Sequence, residues 1–560
     1  MKKLKMVCLT AVIASVNPCF AGGLLTNTNQ NVAFNRMMSR EASIGIDGVY
    51  FNPAGVAFLG DGHHLSLNLQ SAYQTRTIQN DYKLFTNNTI NPTTPREFKG
   101  KAFAPVIPSL QYAYNKKRWS FQANFALTGG GGKCTFDDGL GSFEKIVAET
   151  AMGACGLAGA IDKALGAEHL RTFGSDYVEN HPAINAPMFT ANQLFGKEGK
   201  YSYNSYMHGR QYYYGLSLAA AYRFNDHFSA SVGVRGVYAL CNYYGYVRDI
   251  TVGNMPLYKV LDPSKPNAAD IELSCDQSGF GVTPIIGVDF KTGRWNFSAK
   301  YEFKTRLRLK NKSVNQAPSI GNLNNNLSQA MVGLLAKRYI AAGLFTEQQA
   351  AAAMEKAITT TDQVLGNVDK RIPGNATVKA TMTGLKQQFD TKLNEAIGEY
   401  EDGKTVSGDI PALLTLGAGY KPIDALRINV GFHWFDDKHA TTHNNRHKLL
   451  NRGTLEWSAG AEYDVNKKFT VSAGWQNTSY GMSEEYMDDK SFVVSSNSAA
   501  VGGMVHLSKK MDLNVAYFHT FYKHFKTSEK VELQPGMAFD YTSDYTRNNN
   551  VFAVGLDIHF

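Results

Sequence analysis

A period of two dominates this sequence from residue 65 to residue 560. In its last stretch Phe552, Val554, Leu556, Ile558 and Phe560 alternate with Val551, Ala553, Gly555, Asp557 and His559. One face is apolar and ends in aromatics; the other is small or polar. Successive side chains of a strand point to opposite faces, so this pattern marks a strand with a different solvent on each side. Fourteen segments share it: residues 65–73, 110–114, 119–127, 216–224, 230–240, 280–290, 295–303, 414–420, 426–434, 455–463, 469–475, 501–507, 511–517 and 552–560. An even number of such strands implies an all-β fold, a 14-stranded antiparallel transmembrane β-barrel.

The connections agree with that reading. Asn115-Lys116-Lys117, Asn225-Asp226-His227, Lys291-Thr292-Gly293, Pro422-Ile423-Asp424, Val465-Asn466-Lys467 and Ser508-Lys509-Lys510 are tight turns. The long connections fall between them in strict alternation. An up-and-down barrel has short periplasmic turns and long extracellular loops, and both ends of the strand series fall on the short-turn side. An aromatic close to the last strand is usual in bacterial outer-membrane barrels. Mean hydropathy is only -0.28. A helical membrane protein needs apolar runs of about 20 residues, whereas a barrel hides its lipid-facing residues by alternation.

Residues 1–21 read as a secretory signal peptide, with Lys2, Lys3 and Lys5 before an apolar stretch and Cys19-Phe20-Ala21 as the cleavage site. Val16-Asn17-Pro18 is a poor context for a lipid anchor at Cys19. The expected location is the outer membrane of a Gram-negative bacterium. From residue 22 onward, 54 Lys and Arg stand against 48 Asp and Glu. That surplus is too small and too dispersed to imply nucleic acid.

Residues 22–62 do not alternate and form a separate segment ahead of the barrel, which spans 63–560. Two long outer insertions, 129–207 and 310–408, interrupt it. The first holds a small-residue helix around 143–165. The second holds two helices. One opens near Thr346 with Gln349 three residues on, as in a capping box. The other sets Val378, Met382, Leu385, Phe389, Leu393 and Ile397 on one face. These helices would cap the barrel mouth, either as a landing surface for ligand or as a shield. Four cysteines follow residue 21. The pairings favoured are Cys241 with Cys275 and Cys134 with Cys155; free thiols at small-residue positions fit as well.

Tyr50-Phe51-Asn52-Pro53-Ala54-Gly55 precedes the first strand. It resembles the Asn-Pro-Ala motif of the FadL/TodX family of outer-membrane transporters of long-chain fatty acids and hydrocarbons. Gly233 to Ala239, Leu416 to Tyr420 and Gly474-Trp475 are also similar to that family. The resemblance implies an N-terminal hatch inside the barrel, with Asn52, Pro53, Ala54 and Gly55 in it. Long-chain fatty acids or aromatic hydrocarbons would land on outer loops and enter an apolar lumenal pocket. They would then leave sideways through a gap made by a kink in strand three. Here that strand ends in Gly129-Gly130-Gly131-Gly132, which would open the wall or merely loosen the exit into the loop. Two alternatives carry other functions: a docking partner in protein secretion to the cell surface, and a general porin. The porin is disfavoured because a hatch would block its lumen. A monomeric barrel in outer-membrane lipid is expected.

Alternation turns Arg235, Asp289, Lys300, Glu302, Lys304, Arg427, Glu456, Glu462 and Asp557 inward, since charge facing lipid is costly. Most would form ion-pair networks. Arg235, Lys300 and Arg427 are candidates to bind a fatty-acid carboxylate. Val237-Tyr238-Ala239 is followed by Leu240, where family members can carry a basic residue, so an uncharged hydrophobe also fits. His439, His443 and His447 recur every four residues, but Asn444-Asn445 speaks against a helix, so no metal site is expected. No Gly-x-Ser-x-Gly elbow, Cys-x-x-Cys pair or phosphate loop occurs, so neither an enzyme nor a cofactor is expected.

Overall fold

The computed structural model describes residues 30–185, 198–253, 255–318, 337, 339–344, 346–349, 400–534 and 536–560. Side chains long in lipid-facing apolar bulk and short or polar on the other face leave one stable solution, a sheet closed on itself. Fourteen antiparallel staves form it. They are β1 (Gly62–Tyr82), β2 (Arg96–Lys116), β3 (Trp119–Phe136), β4 (Tyr201–Arg223), β5 (Phe228–Val252), β6 (Ile271–Thr292) and β7 (Trp295–Glu302, continued by Arg308–Gln316). There follow β8 (Thr405–Ser407 and Leu413–Ile423), β9 (Leu426–Phe435), β10 (Thr454–Asp464), β11 (Phe469–Ser479) and β12 (Ser496–Ser508). The last are β13 (Met511–Tyr522, continued by Phe525–Gln534) and β14 (Met537–His559). Each pairs with its neighbours, and β14 closes on β1 from His64 opposite His559 to Tyr82 opposite Tyr541.

Two aromatic belts mark the apolar band. Trp119, Phe224, Phe228, Trp295 and Phe469 are exposed at the turn end; Tyr73, Tyr238, Trp434, Trp457 and Phe552 are exposed nearer the loops. Crossing a bilayer takes about 9–11 residues per strand. β1 has 21 and β5 has 25, so one side of the barrel rises well above the band as a collar. The insertions are therefore shorter than their sequence bounds: β3 continues to Phe136, β4 begins at Tyr201, and β8 begins at Thr405.

The first insertion forms helix α3 (Gly141–Phe173), longer than the periodicity indicates. Its first turn is held by Asp489 from the β11–β12 loop, whose carboxylate accepts from Ser142 N at 2.7 Å and Ser142 Oγ at 3.0 Å. Thr346 and Gln349 form the reciprocal pair expected, Thr346 N to Gln349 Oε1 at 3.0 Å and Gln349 N to Thr346 Oγ1 at 3.2 Å. The helix expected at 378–397 and the signal peptide lie outside the described residues.

Residues 30–61 run inside the barrel. They form α1 (Val32–Met37), α2 (Gly48–Phe51) and a 3-10 turn (Gly55–Phe58). Asn31 caps α1 by accepting from Ala33 N at 2.7 Å. Met38, at φ 61°, ends it. The wall makes room with glycines: a Cβ at Gly474 would lie 1.7 Å from the carbonyl oxygen of Met37, and one at Gly460 would lie 2.0 Å from it. Both contacts are with backbone, so neither can be relieved by a rotamer change. Gly474→Val should therefore displace α1. Limited proteolysis of the folded barrel should cut within residues 30–45 at least ~10-fold faster than in the wild type, as expected for overpacking at a rigid contact; equal rates would contradict this packing.

Candidate functional site

The lumenal plug is tied to the wall on every side. Glu462 of β10 accepts from Arg36 at 2.5 Å and Arg40 at 3.1 Å, and Arg40 also holds Asp47 at 2.7 Å. His433 of β9 bridges Glu41 at 3.0 Å and Glu456 at 2.8 Å. Asn52-Pro53-Ala54-Gly55 is anchored to three staves. Asn52 Nδ2 donates to Asp289 Oδ2 at 2.5 Å, Gln122 donates to the Pro53 carbonyl at 2.7 Å, and Ser229 donates to the Ala54 carbonyl at 2.8 Å. Gly55 N returns to Asn52 Oδ1 at 3.1 Å, and a Cβ on Gly55 would meet Asn52 Nδ2 at 2.3 Å. These four residues thus staple the plug to β3, β5 and β6.

A cavity of about 300 Å³ lies between this plug and the outer cap. Phe34 and Met38 of the plug line it together with Ile107, Phe518 and Val551 of the wall. Its lining is not purely apolar. Arg76 and Arg547, opposite each other across the β1–β14 seam, also face it. Among the described residues neither arginine has an acidic partner. Arg76 Nε donates to Gln74 at 3.1 Å; Arg547 lies 4.9 Å from the Phe492 ring centroid, and its buried Nε has no hydrogen-bond acceptor.

The wall's hydrogen-bond ladder is broken beside this cavity, a breach in pairing between strands that still touch at Gly132 and Ala104. The β2–β3 ladder pairs Ala102 with Cys134 and resumes only at Ser109 with Ala126, leaving 103–108 and 127–133 unpaired with each other. Pro105 and Pro108 lack the N–H that a ladder needs. On the facing strand, Gly130 (φ 80°) and Gly132 (φ 96°) stand in the left-handed region, on either side of a bulge against β4. Ala102, Ile107, Gly130, Gly132 and Cys134 line both the breach and the cavity.

The chain superimposes on the crystal structure of a Pseudomonas aeruginosa FadL homologue with a TM-score of 0.56, at 14% identity, over 96% of this chain and 100% of that one. The fold is that of a FadL-type barrel. Looser superpositions relate it to the Pseudomonas putida toluene transporter TodX (TM-score 0.47, 13% identity, 92% of this chain and 94% of that one). They also relate it to the Ralstonia pickettii toluene transporter TbuX (TM-score 0.44, 13% identity, 99% and 97%). No family model matches the sequence, and no curated protein matches it.

Within this FadL-type barrel the three cations expected to bind a carboxylate are already engaged. Arg235 makes a fork to Glu302 at 2.7 and 3.0 Å, and Lys300 binds Glu302 and the Tyr50 carbonyl, each at 2.8 Å. Arg427 grips Asp464 with two bonds of 2.6 Å and Glu462 at 3.2 Å. Each is held by protein acceptors, whereas Arg76 and Arg547, which line the cavity, form no ion pair among the described residues. Sequence reasoning missed both because it ended β1 at Tyr73 and began the last strand at Phe552, below the collar. Pro105 and Pro108, two prolines three positions apart, signalled the breach and went unused.

No disulfide joins the four cysteines. Register sets Cys241 opposite Gln277 and Cys275 opposite Tyr243, while Cys134 stands on β3 and Cys155 on α3. The three loop histidines do not converge. His439 Nδ1 contacts Asp436 at 2.7 Å, and Asn444 and Asn445 break the helical path at φ 49° and 56°. Among the described residues no three His, Cys, Asp or Glu side chains gather as metal ligands.

The outer cap carries carboxyls poised near neutrality, Asp437 among them. Asp437, in the β9–β10 loop, accepts from Thr454 N at 2.7 Å and Thr454 Oγ1 at 2.6 Å. Burial outweighs those bonds and raises its carboxyl to about 7. The folded cap then holds a proton that the unfolded chain releases near pH 4. Its stabilising contribution is complete below that pH and is lost as pH rises through 7. Amide exchange at Thr454, corrected for intrinsic rate, should be at least ~10-fold faster at pH 8 than at pH 5. Asp437→Asn should remove the difference; a difference that persists in the variant would contradict this assignment.

Proposed function

We propose that this chain is an outer-membrane channel of a Gram-negative bacterium. It takes up long-chain hydrophobes bearing an anionic head, fatty acids first among them. Cargo binds in the chamber above the plug and leaves sideways through the β2–β3 breach into the outer leaflet. The observation that carries this reading is the pair Arg76 and Arg547, which form no ion pair among the described residues, in a chamber whose other walls include Phe34, Met38, Ile107, Phe518 and Val551, and whose one lining carboxylate, Glu456, is held by His433. Two facing guanidinium groups repel each other and are costly to desolvate unless an anion joins them. A carboxylate supplies that charge, and the acyl chain covers the apolar wall. An uncharged aromatic would leave both cations unanswered.

The breach supports exit through the wall, because an apolar tail can pass where no ladder hydrogen bonds have to be broken. The plug favours this route over a polar pore, since its charges and carbonyls fill the lumen below the chamber. Passage follows the concentration gradient and involves no covalent step. Entry from outside would begin at a small apolar groove lined by Phe143, Ile146, Tyr244, Ile271 and Leu273.

Replacing Arg76→Gln and Arg547→Gln together should weaken a fluorescent long-chain fatty acid by roughly 10- to 100-fold, the range of charge-assisted hydrogen bonds. A fatty alcohol of the same length should change by less than ~3-fold. Equal losses for both probes, or none, would sink the headgroup assignment. The breach has its own test. A Cβ built at Gly132 lies 3.3 Å from that of Ala104, close to the span a disulfide needs. Ala104→Cys with Gly132→Cys, compared oxidised against reduced so that any strain at Gly132 is common to both states, should slow uptake into cells several-fold on oxidation, with chamber binding equal in the two states. Uptake indifferent to the crosslink would rule out exit at this point.

A further inference from the structure

The six short turns carry the positive charge of this protein. Residues 116–118, 223–227, 291–294, 421–424, 465–468 and 508–510 contain eleven Lys and Arg against two acids. From residue 22 onward the rest of the chain has 43 Lys and Arg against 46 Asp and Glu. Charge that looks dispersed along the sequence is thus collected by the fold at one rim. Every turn contributes at least one cation. Ten of the eleven are exposed and Arg223 is half-buried. Among the described residues, Arg294 with Asp424 at 3.5 Å is the one ion pair formed within these turns.

Two features identify the partner. The turns join alternate staves around a closed sheet, so the cations encircle the barrel instead of forming a patch on one side. The exposed girdle of Trp119, Phe228, Trp295 and Phe469 lies immediately beside them. Lys468 Nζ sits over the Phe469 ring, 5.7 Å from its centroid, so cation and girdle meet directly. A protein partner would touch one sector of this ring, whereas a lipid annulus touches all of it. We infer that the rim binds the phosphate groups of anionic glycerophospholipids in the periplasmic leaflet. This ring fixes the depth of the barrel and enriches acidic lipid around it. The inference rests on the membrane-barrel reading and is independent of what the chamber carries.

The test uses the full barrel in nanodiscs of phosphatidylethanolamine with one-fifth phosphatidylglycerol, reading co-purified lipid by mass spectrometry after mild delipidation. The retained annulus should contain phosphatidylglycerol at roughly two to five times its bulk fraction, falling towards the bulk ratio in 0.5 M salt as screening shortens. Arg118→Gln, Lys467→Gln, Lys468→Gln, Lys509→Gln and Lys510→Gln combined should abolish most of the enrichment. Lys99→Gln with Lys101→Gln, on the outer wall of β2, should leave it intact. A wild-type annulus at the bulk ratio, salt-insensitive enrichment, or enrichment unchanged in the five-fold variant would each overturn the inference. Capture of an acidic protein by the rim with lipid at the bulk ratio would overturn it as well. Fatty-acid binding in the chamber should be the same in all variants, so failure here is separable from failure of the uptake reading.

Discussion

Glu462 is the point on which the interior depends. A fourteen-stave barrel is too wide for its own side chains to fill, and its inward residues are polar because the outward ones meet lipid. A second body must occupy the space, and it must satisfy charge. Glu462 does this by receiving Arg36 and Arg40 from the plug and Arg427 from its own wall. The His433 bridge between Glu41 and Glu456 repeats the device one stave away. Removing one partner from such a buried set leaves uncompensated charge, which costs far more than the set as a whole contributes. The plug is therefore specified in place by electrostatics and close backbone contact, together with buried apolar groups of its own such as Phe34, Phe51, Val49 and Val56.

That same plug sets the floor of the chamber. Phe34 and Met38 close it from below, on the helix that Arg36 and Arg40 secure. Any displacement of α1 alters the volume between the plug and the arginine pair. The breach lies at the chamber's side, where two prolines on β2 and two left-handed glycines on β3 withhold the bonds that would seal the wall. Floor, cation pair and side opening belong to one space, which is why a binding site and an exit can be the same structure.

The barrel was legible in the sequence because lipid enforces alternation: each of the fourteen segments falls on an observed stave to within one terminal residue. Legibility stopped where water bathes both faces. In the collar Thr75, Arg76 and Thr77 read as loop, so the strand that aims Arg76 inward was invisible, as was Arg547 opposite it. Inward charge could be assigned for Arg235, Lys300 and Arg427, but their partners could not. Pairing requires the register between strands, and a single sequence does not contain it. The cysteine pairing failed for the same reason, since Cys241 and Cys275 sit two positions out of step. Asn52-Pro53-Ala54-Gly55 could be placed ahead of the barrel, while its anchors at Gln122, Ser229 and Asp289 lie 69 to 237 residues away.

The central claim is that the chamber holds an anionic amphiphile with its head between Arg76 and Arg547. The most direct measurement is anomalous diffraction from crystals grown with a long-chain fatty acid brominated at its terminal carbon. The account predicts one bromine peak inside the barrel, on the apolar wall near Phe34 and Met38, with carboxylate density reaching both guanidinium groups. Bromine confined to the outer loops or the lipid-facing surface, with the arginine pair bound to nothing but water, would contradict it.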